Sequence, residues 1–235
     1  MPDKSPPTAF LSLIRGIANG DTRAAGAMLE AEPVLARQHA KAGASRQEAT
    51  NYFFKSIGHY LYAGDTALHM AAAAYDFEFV RKLIARGADV SAQNRRGAQP
   101  LHYAADGRSE MKTPMARRQV RTIAVLIDAG ADANAINKDG VAPLHRAVRT
   151  RSAAAVKALL ENGSDARLKN KSGSTPIHLA VQTTGASGSG TACAREQQRA
   201  IVRLLLKYGA RPGDKDARGK TARQCATNDV LELFP

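Results

Sequence analysis

The stretch GVAPLHRAVRTRSAAAVKALLENGSDARLKNKS, residues 140 to 172, decides the fold. Pro143 suits a first helical turn, where its missing amide hydrogen costs nothing, and Leu144, Ala147 and Val148 then fall on one face at helical spacing. Arg146, Arg149 and Thr150 lie on the opposite face. A second helix is predicted over SAAAVKALLENG, with Val156, Leu159 and Leu160 as its apolar stripe and Gly163 as its C-terminal stop. SDARLKNKSG, with Asn170 and Gly173, then turns the chain. One such helix pair cannot bury its apolar face alone, so neighbours must stack into a solenoid.

The neighbours are present. Gly64 opens GDTALHMAAAA, Gly97 opens GAQPLHYAADG, Gly173 opens GSTPIHLAVQT, and a degenerate GKTARQCA starts at Gly219. Successive starts are 33, 43, 33 and 46 residues apart. The units also share an ending, in LIARGADVSAQN, LIDAGADANAIN, LLENGSDARLKN and LLKYGARPGDKD. A period of 33 residues with a T-P-L-H start resembles the ankyrin-repeat family. The resemblance implies an all-α ankyrin-repeat solenoid of about five helix-turn-helix units with short hairpin turns, plus a C-terminal capping half-repeat. The whole chain 1–235 reads as one domain, with an atypical N-terminal repeat at 8–37, extra material at 38–63, repeats at 64–96, 97–139, 140–172 and 173–218, and a cap at 219–235.

Two further insertions, around GRSEMKTPMA and TTGASGSGTACAR, fall between the paired helices of alternate repeats. They predict long loops near residues 107 to 116 and 183 to 195, projecting from one side and bordering the groove. In the segment 38–63, NYFFKSIGHYLY concentrates the aromatics of a chain that has only 5% Phe, Trp and Tyr and no Trp. Phe53 and Phe54 are expected to staple the segment onto the solenoid. The tyrosines stay open between packing and contact with a partner.

Composition bounds the function. At 44% hydrophobic and 23% charged the chain can bury a core, and its formal net charge of +13 is unevenly placed. Residues 81 to 223 hold 27 Lys and Arg against 11 Asp and Glu, the remainder 7 against 10. A field of that size attracts polyanions. Cys193 and Cys225 are too few for a disulfide framework and read as free thiols, Cys193 in an inert loop. The N-terminus lacks the order of a signal peptide, and no run reaches the roughly 20 apolar residues of a membrane span. A cytoplasmic monomer with no membrane partner is expected.

No hydrolase elbow, phosphate loop or metal-site spacing occurs, so the reading is a non-enzymatic binding module without cofactor or metal. His69, His102, His145 and His178 recur with the repeat, one repeat apart. That is too far for a shared ion with bonds of about 2 Å, and the family resemblance implies that each binds backbone between units. The candidate contact residues are basic. Arg146 and Arg149 lie on the side of a first helix that faces the concave groove in the resembled fold, with Tyr103 one repeat earlier and Arg151 in the following turn. Arg95, Arg96, Lys138, Lys169, Lys171, Arg218 and Lys220 sit at or beside the hairpin tips edging that groove. Arg195, Arg199 and Arg203 form a stripe on a second helix and read as a solvated convex face. The leading expectation is an acidic protein surface or peptide in the basic groove. The alternative is structured or single-stranded DNA or RNA on the same surface.

Overall fold

Thr66, Pro100, Pro143 and the Thr175–Pro176 pair start first helices where the periodicity places them. The computed structural model describes residues 9–45, 47–107, 113–182 and 191–234. The N-terminal pair is α1 (Ala9–Asn19) and α2 (Thr22–Ala31), followed by a 3-10 turn at Pro33–Arg37. After a second 3-10 turn, Thr50–Tyr52, comes a small antiparallel hairpin of β1 (Phe53–Phe54) and β2 (His59–Tyr60), with Phe53 opposite Tyr60. Then follow the pairs α3 (Ala67–Ala73) and α4 (Phe77–Ala85), α5 (Pro100–Ala105) and α6 (Thr113–Asp128), α7 (Pro143–Arg149) and α8 (Ala153–Glu161), and α9 (Pro176–Ala180) and α10 (Ala192–Lys207). Two single turns, α11 (Ala222–Cys225) and α12 (Asn228–Leu231), end the stack. First helices pack on first helices from α1 to α11, and second helices from α4 to α10, in two layers.

Helices of 5 to 9 residues such as α9, α3 and α8 are too short to persist alone in water. The shared core holds them. Leu68, Leu101, Leu144 and Ile177 fill the same slot in successive repeats, opposite Val80 and Leu83, Ile123 and Leu126, Val156 and Leu159, Val202 and Leu205. All are buried. Second helices are started by caps: the side chains of Asp76, Ser152 and Thr191 accept from the amides of Phe79, Ala155 and Ala194.

The hairpin tips form a second repeating structure. Asn94, Asn137, Asn170 and Asp216 each accept two backbone N–H groups, two and four residues on, through one side-chain oxygen. Each tip then donates backward to the preceding one, Arg95 to Ala63, Lys138 to Arg96, Lys171 to Asp139 and Ala217 to Ser172, at 2.8 to 3.0 Å. Gly173 makes this approach possible. Its φ is +70°, and a Cβ there would sit 2.5 Å from the Ala217 amide nitrogen.

The inserted loops are shorter than their sequence suggests. Residues 108–112 and 183–190 lie outside the described residues, but 113–116 and 192–195 are helical turns, so α6 and α10 run to 16 residues where α4 and α8 have 9. Pro114 in the first turn of α6 and the Thr191 cap of α10 explain the early starts. Cys193 therefore sits on a helix rather than in a loop. Gln119 and Gln198, each 11 residues before the repeat's closing glycine, are buried and donate to the ends of the paired first helices, at Ala104 and Ala180.

The uninserted repeats hold the neighbouring insertions. Tyr75 and Arg151, in the turns before α4 and α8, are the two non-glycine residues with positive φ among the described residues, at 54° and 57°. The Tyr75 hydroxyl donates to the Asp106 carbonyl, and Arg151 donates to the carbonyls of Gln182 and Ala194. Both reach to where the next repeat's inserted segment begins, and Arg151 also to where it ends.

Candidate binding surface

The 38–63 segment folds back over the first-helix layer. Backbone bonds tie it down, from Ala40 to Asp65, Gly64 to Ala40 and Ala44 to Leu61. Arg95 donates to the Ala44 carbonyl, and the guanidinium groups of Arg95 and Arg96 lie 5.5 and 5.4 Å from the Tyr62 ring centroid. The His59 ring stacks on Tyr103 at 4.1 Å between centroids. Phe54 packs against the core as expected, but Phe53 does not. It is 42% exposed and rests on Tyr60 across the hairpin, because alternate strand positions face opposite sides. The tyrosines are resolved in part: Tyr62 serves as the platform for two arginines.

Two buried polar networks lie under this flap. The Tyr103 hydroxyl donates to Asp65 at 2.8 Å and accepts from the Asn94 amide at 2.9 Å. Burial, then the Asp65 charge, pushes the Tyr103 phenol well above its ordinary pKa. In the second network, Asp106 accepts from Arg146 at 2.6 Å and faces His59 Nε2 at 3.4 Å. Burial alone would raise the Asp106 carboxyl, but Arg146, followed by His59, holds it below the ordinary carboxylate value.

The repeat histidines share one arrangement. Nδ1 of His69, His102, His145 and His178 accepts from the backbone amide at its own helix start, while Nε2 donates to the next repeat at Ala98, Val141, Ser174 and Lys220. Both ring nitrogens are spent on backbone, and in His69, His102 and His145 the ring is held neutral. Burial lowers the pKa of His69 and His145, and burial with the Arg146 charge takes His102 down to about 3.

The structure separates the expected contact residues into two groups. Tyr103 is 1% exposed, and Arg151 is buried with its donors on two carbonyls, so neither is offered to a partner. Both corrections have one cause: each side chain is covered by inserted material from a neighbouring segment. Arg146 is mostly buried on Asp106, Arg95 is committed to Ala44 and Tyr62, and Lys169 donates to the Lys215 carbonyl. Arg96, Lys138, Arg149, Lys171, Arg218 and Lys220 are exposed. Arg96, Arg146 and Arg149 converge on one cleft of about 200 Å³ beside His59, Tyr60 and Tyr62, while Lys138, Lys171 and Arg218 stand apart on successive tips. A wider cleft of about 410 Å³ opens between Asn170, Leu179, Gln182 and Arg218. On the other layer, Arg203 is exposed and Arg199 half-buried.

Sequence reasoning passed over Asp106, the acid that ends α5 and neutralises Arg146. It also passed over Tyr75, Gln119 and Gln198, although the two glutamines share one offset from the repeat's closing glycine. No helix among the described residues is long and apolar enough to cross a membrane. No curated protein matches the chain. Family comparison matches residues 38–112 to ankyrin repeats (3 copies), 126–180 to ankyrin repeats (many copies) and 172–217 to a single ankyrin repeat. With the histidine bonds, tip ladder and two helical layers already described, these matches make the chain a member of the ankyrin-repeat family, whose members are in general protein–protein interaction modules.

Proposed function

We propose that the chain is a non-enzymatic adaptor, a single cytoplasmic domain, whose basic tips and groove take an acidic segment of a protein partner. One observation carries the reading. Lys138, Lys171 and Arg218 are exposed on three successive tips, make no side-chain hydrogen bond or ion pair with other described residues, and are held in register by the backbone ladder. A rigid row of cations spaced by the repeat suits an extended chain bearing carboxylates at intervals, and complementary charge of this kind speeds and orients encounter. The flap narrows the available surface, since its His59 lies on Tyr103 of α5 and shares Asp106 with Arg146 of α7.

The test is a salt series comparing a labelled acidic peptide with duplex, junction and single-stranded DNA and with RNA. The proposal expects the peptide to bind with a shallow salt dependence. Tighter binding of a nucleic acid, with log affinity falling against log salt at a slope near −0.7 to −0.9 per phosphate neutralised, would replace the protein partner by a polynucleotide.

A further inference from the structure

We infer that the cleft between the flap and α7 is a carboxylate-binding site, formed by Arg96, Arg146 and Arg149 under His59 and Tyr62. Its construction points to a ligand. The Arg146 side chain is only 12% exposed, yet it spends one nitrogen on Asp106. Its Nε is closed off from solvent without an acceptor among the described residues, so a ligand in the cleft meets the outer edge of the guanidinium, which keeps the side chain's remaining exposure. Arg149, one helical turn on, makes no hydrogen bond with described residues and lines the same cleft. Arg96 closes the third side, its guanidinium held over Tyr62.

The charge count selects the ligand. Three guanidinium groups face Asp106 and Asp139 in the lining, which, leaving His59 aside, leaves one net positive charge. A single carboxylate matches that charge, whereas a phosphate dianion would meet two fixed carboxylates at close quarters. The planar fork of a guanidinium also fits a carboxylate through two parallel N–H bonds. A volume of about 200 Å³ admits an acidic side chain or a small free carboxylic acid, and not a folded element. The flap is part of the site: without His59 and Tyr62 the three arginines would stand on an open surface, where water screens them. The carboxylate site stands whether or not the groove binds a protein. It deepens the adaptor reading if the carboxylate belongs to a partner's Asp or Glu.

The arginine Nε–H resonances report on the site directly. In the 235-residue chain labelled with nitrogen-15, with cross-peaks assigned through Arg146→Lys and Arg149→Gln, acetate, inorganic phosphate and a labelled Glu-containing peptide are titrated in turn. Acetate and the peptide are expected to shift the Arg146 and Arg149 peaks and to leave that of exposed Arg23 in place. Arg149→Gln, at an exposed position without a hydrogen bond to the described residues, is expected to weaken acetate at least fivefold. Unmoved peaks, unchanged affinity in Arg149→Gln, or phosphate acting at tenfold lower concentration than acetate would each overturn the carboxylate site. A peptide that binds without moving these peaks removes the cleft and leaves the groove reading intact. Acetate that binds where the peptide does not keeps the cleft and removes the acidic protein partner.

Discussion

At the scale of single residues, His145 shows how one side chain joins two repeats, since its Nδ1 accepts from Ala142 and its Nε2 donates to Ser174. His145→Ala removes both bonds from a buried site. It is expected to lower unfolding free energy by about 1 to 3 kcal/mol in urea denaturation, with no change in metal content. The same burial sets an acid limit. His69, His102 and His145 bind protons less readily when folded, so between the unfolded value near 6.5 and their lowered folded values the unfolded chain holds more protons. Stability is then full above about pH 6.5 and falls as pH drops toward 3, by about 1.4 kcal/mol per pH unit for each histidine titrating only when unfolded. A denaturation midpoint that is flat over this range would contradict the neutral rings. The role of the histidines was legible because repetition exposes it. That of Arg151 was not: its position after α7 suggests a groove contact, and only the place of the next repeat's insertion shows that it is enclosed.

At the scale of elements, the helix pairs follow from the 3.6-residue pattern and the shared glycines, but the length of α6 and α10 does not. TTGASGSGTACAR reads as a loop throughout, and the start of α10 depends on one cap at Thr191 within it. Arg151 holds the two ends of that inserted stretch, at Gln182 and Ala194. Arg151→Ala is therefore expected to cost about 2 kcal/mol, since bonds from a charged donor are worth about 1.5 to 3. It should also raise hydrogen exchange at the first turn of α10. Unchanged exchange there would mean that the insertion holds itself. Between tips, Gly173→Ala meets both a positive φ and the Ala217 amide. It is expected to destabilise by more than the roughly 1 kcal/mol of the φ penalty alone, a thermal melt deciding between them.

At the scale of the whole molecule, the sequence shows how much positive charge there is and roughly where, but not which cations are free. Arg146 read as a groove contact because its helical face is polar. Its pairing with Asp106, 40 residues away, exists only once α5 and α7 stack. The flap was legible as an aromatic insertion and not as a cover, because nothing local in NYFFKSIGHYLY says that His59 will lie on Tyr103. What stays exposed is a row of tip cations on one layer and scattered arginines on the other, and the proposed binding surface is the first of these. The direct measurement is the affinity of a fluorescent acidic peptide for two charge-reversed proteins of matched melting temperature. One carries Lys138→Glu, Lys171→Glu and Arg218→Glu on the tips. The other carries Arg81→Glu, Arg117→Glu and Arg203→Glu on the second-helix layer, so that net charge changes equally. The tip variant is expected to lose at least about tenfold in affinity, near 1.4 kcal/mol, and the second-layer variant less than about twofold. Equal losses in the two proteins would show that the peptide answers to overall charge, and would contradict a binding surface on the tips and groove.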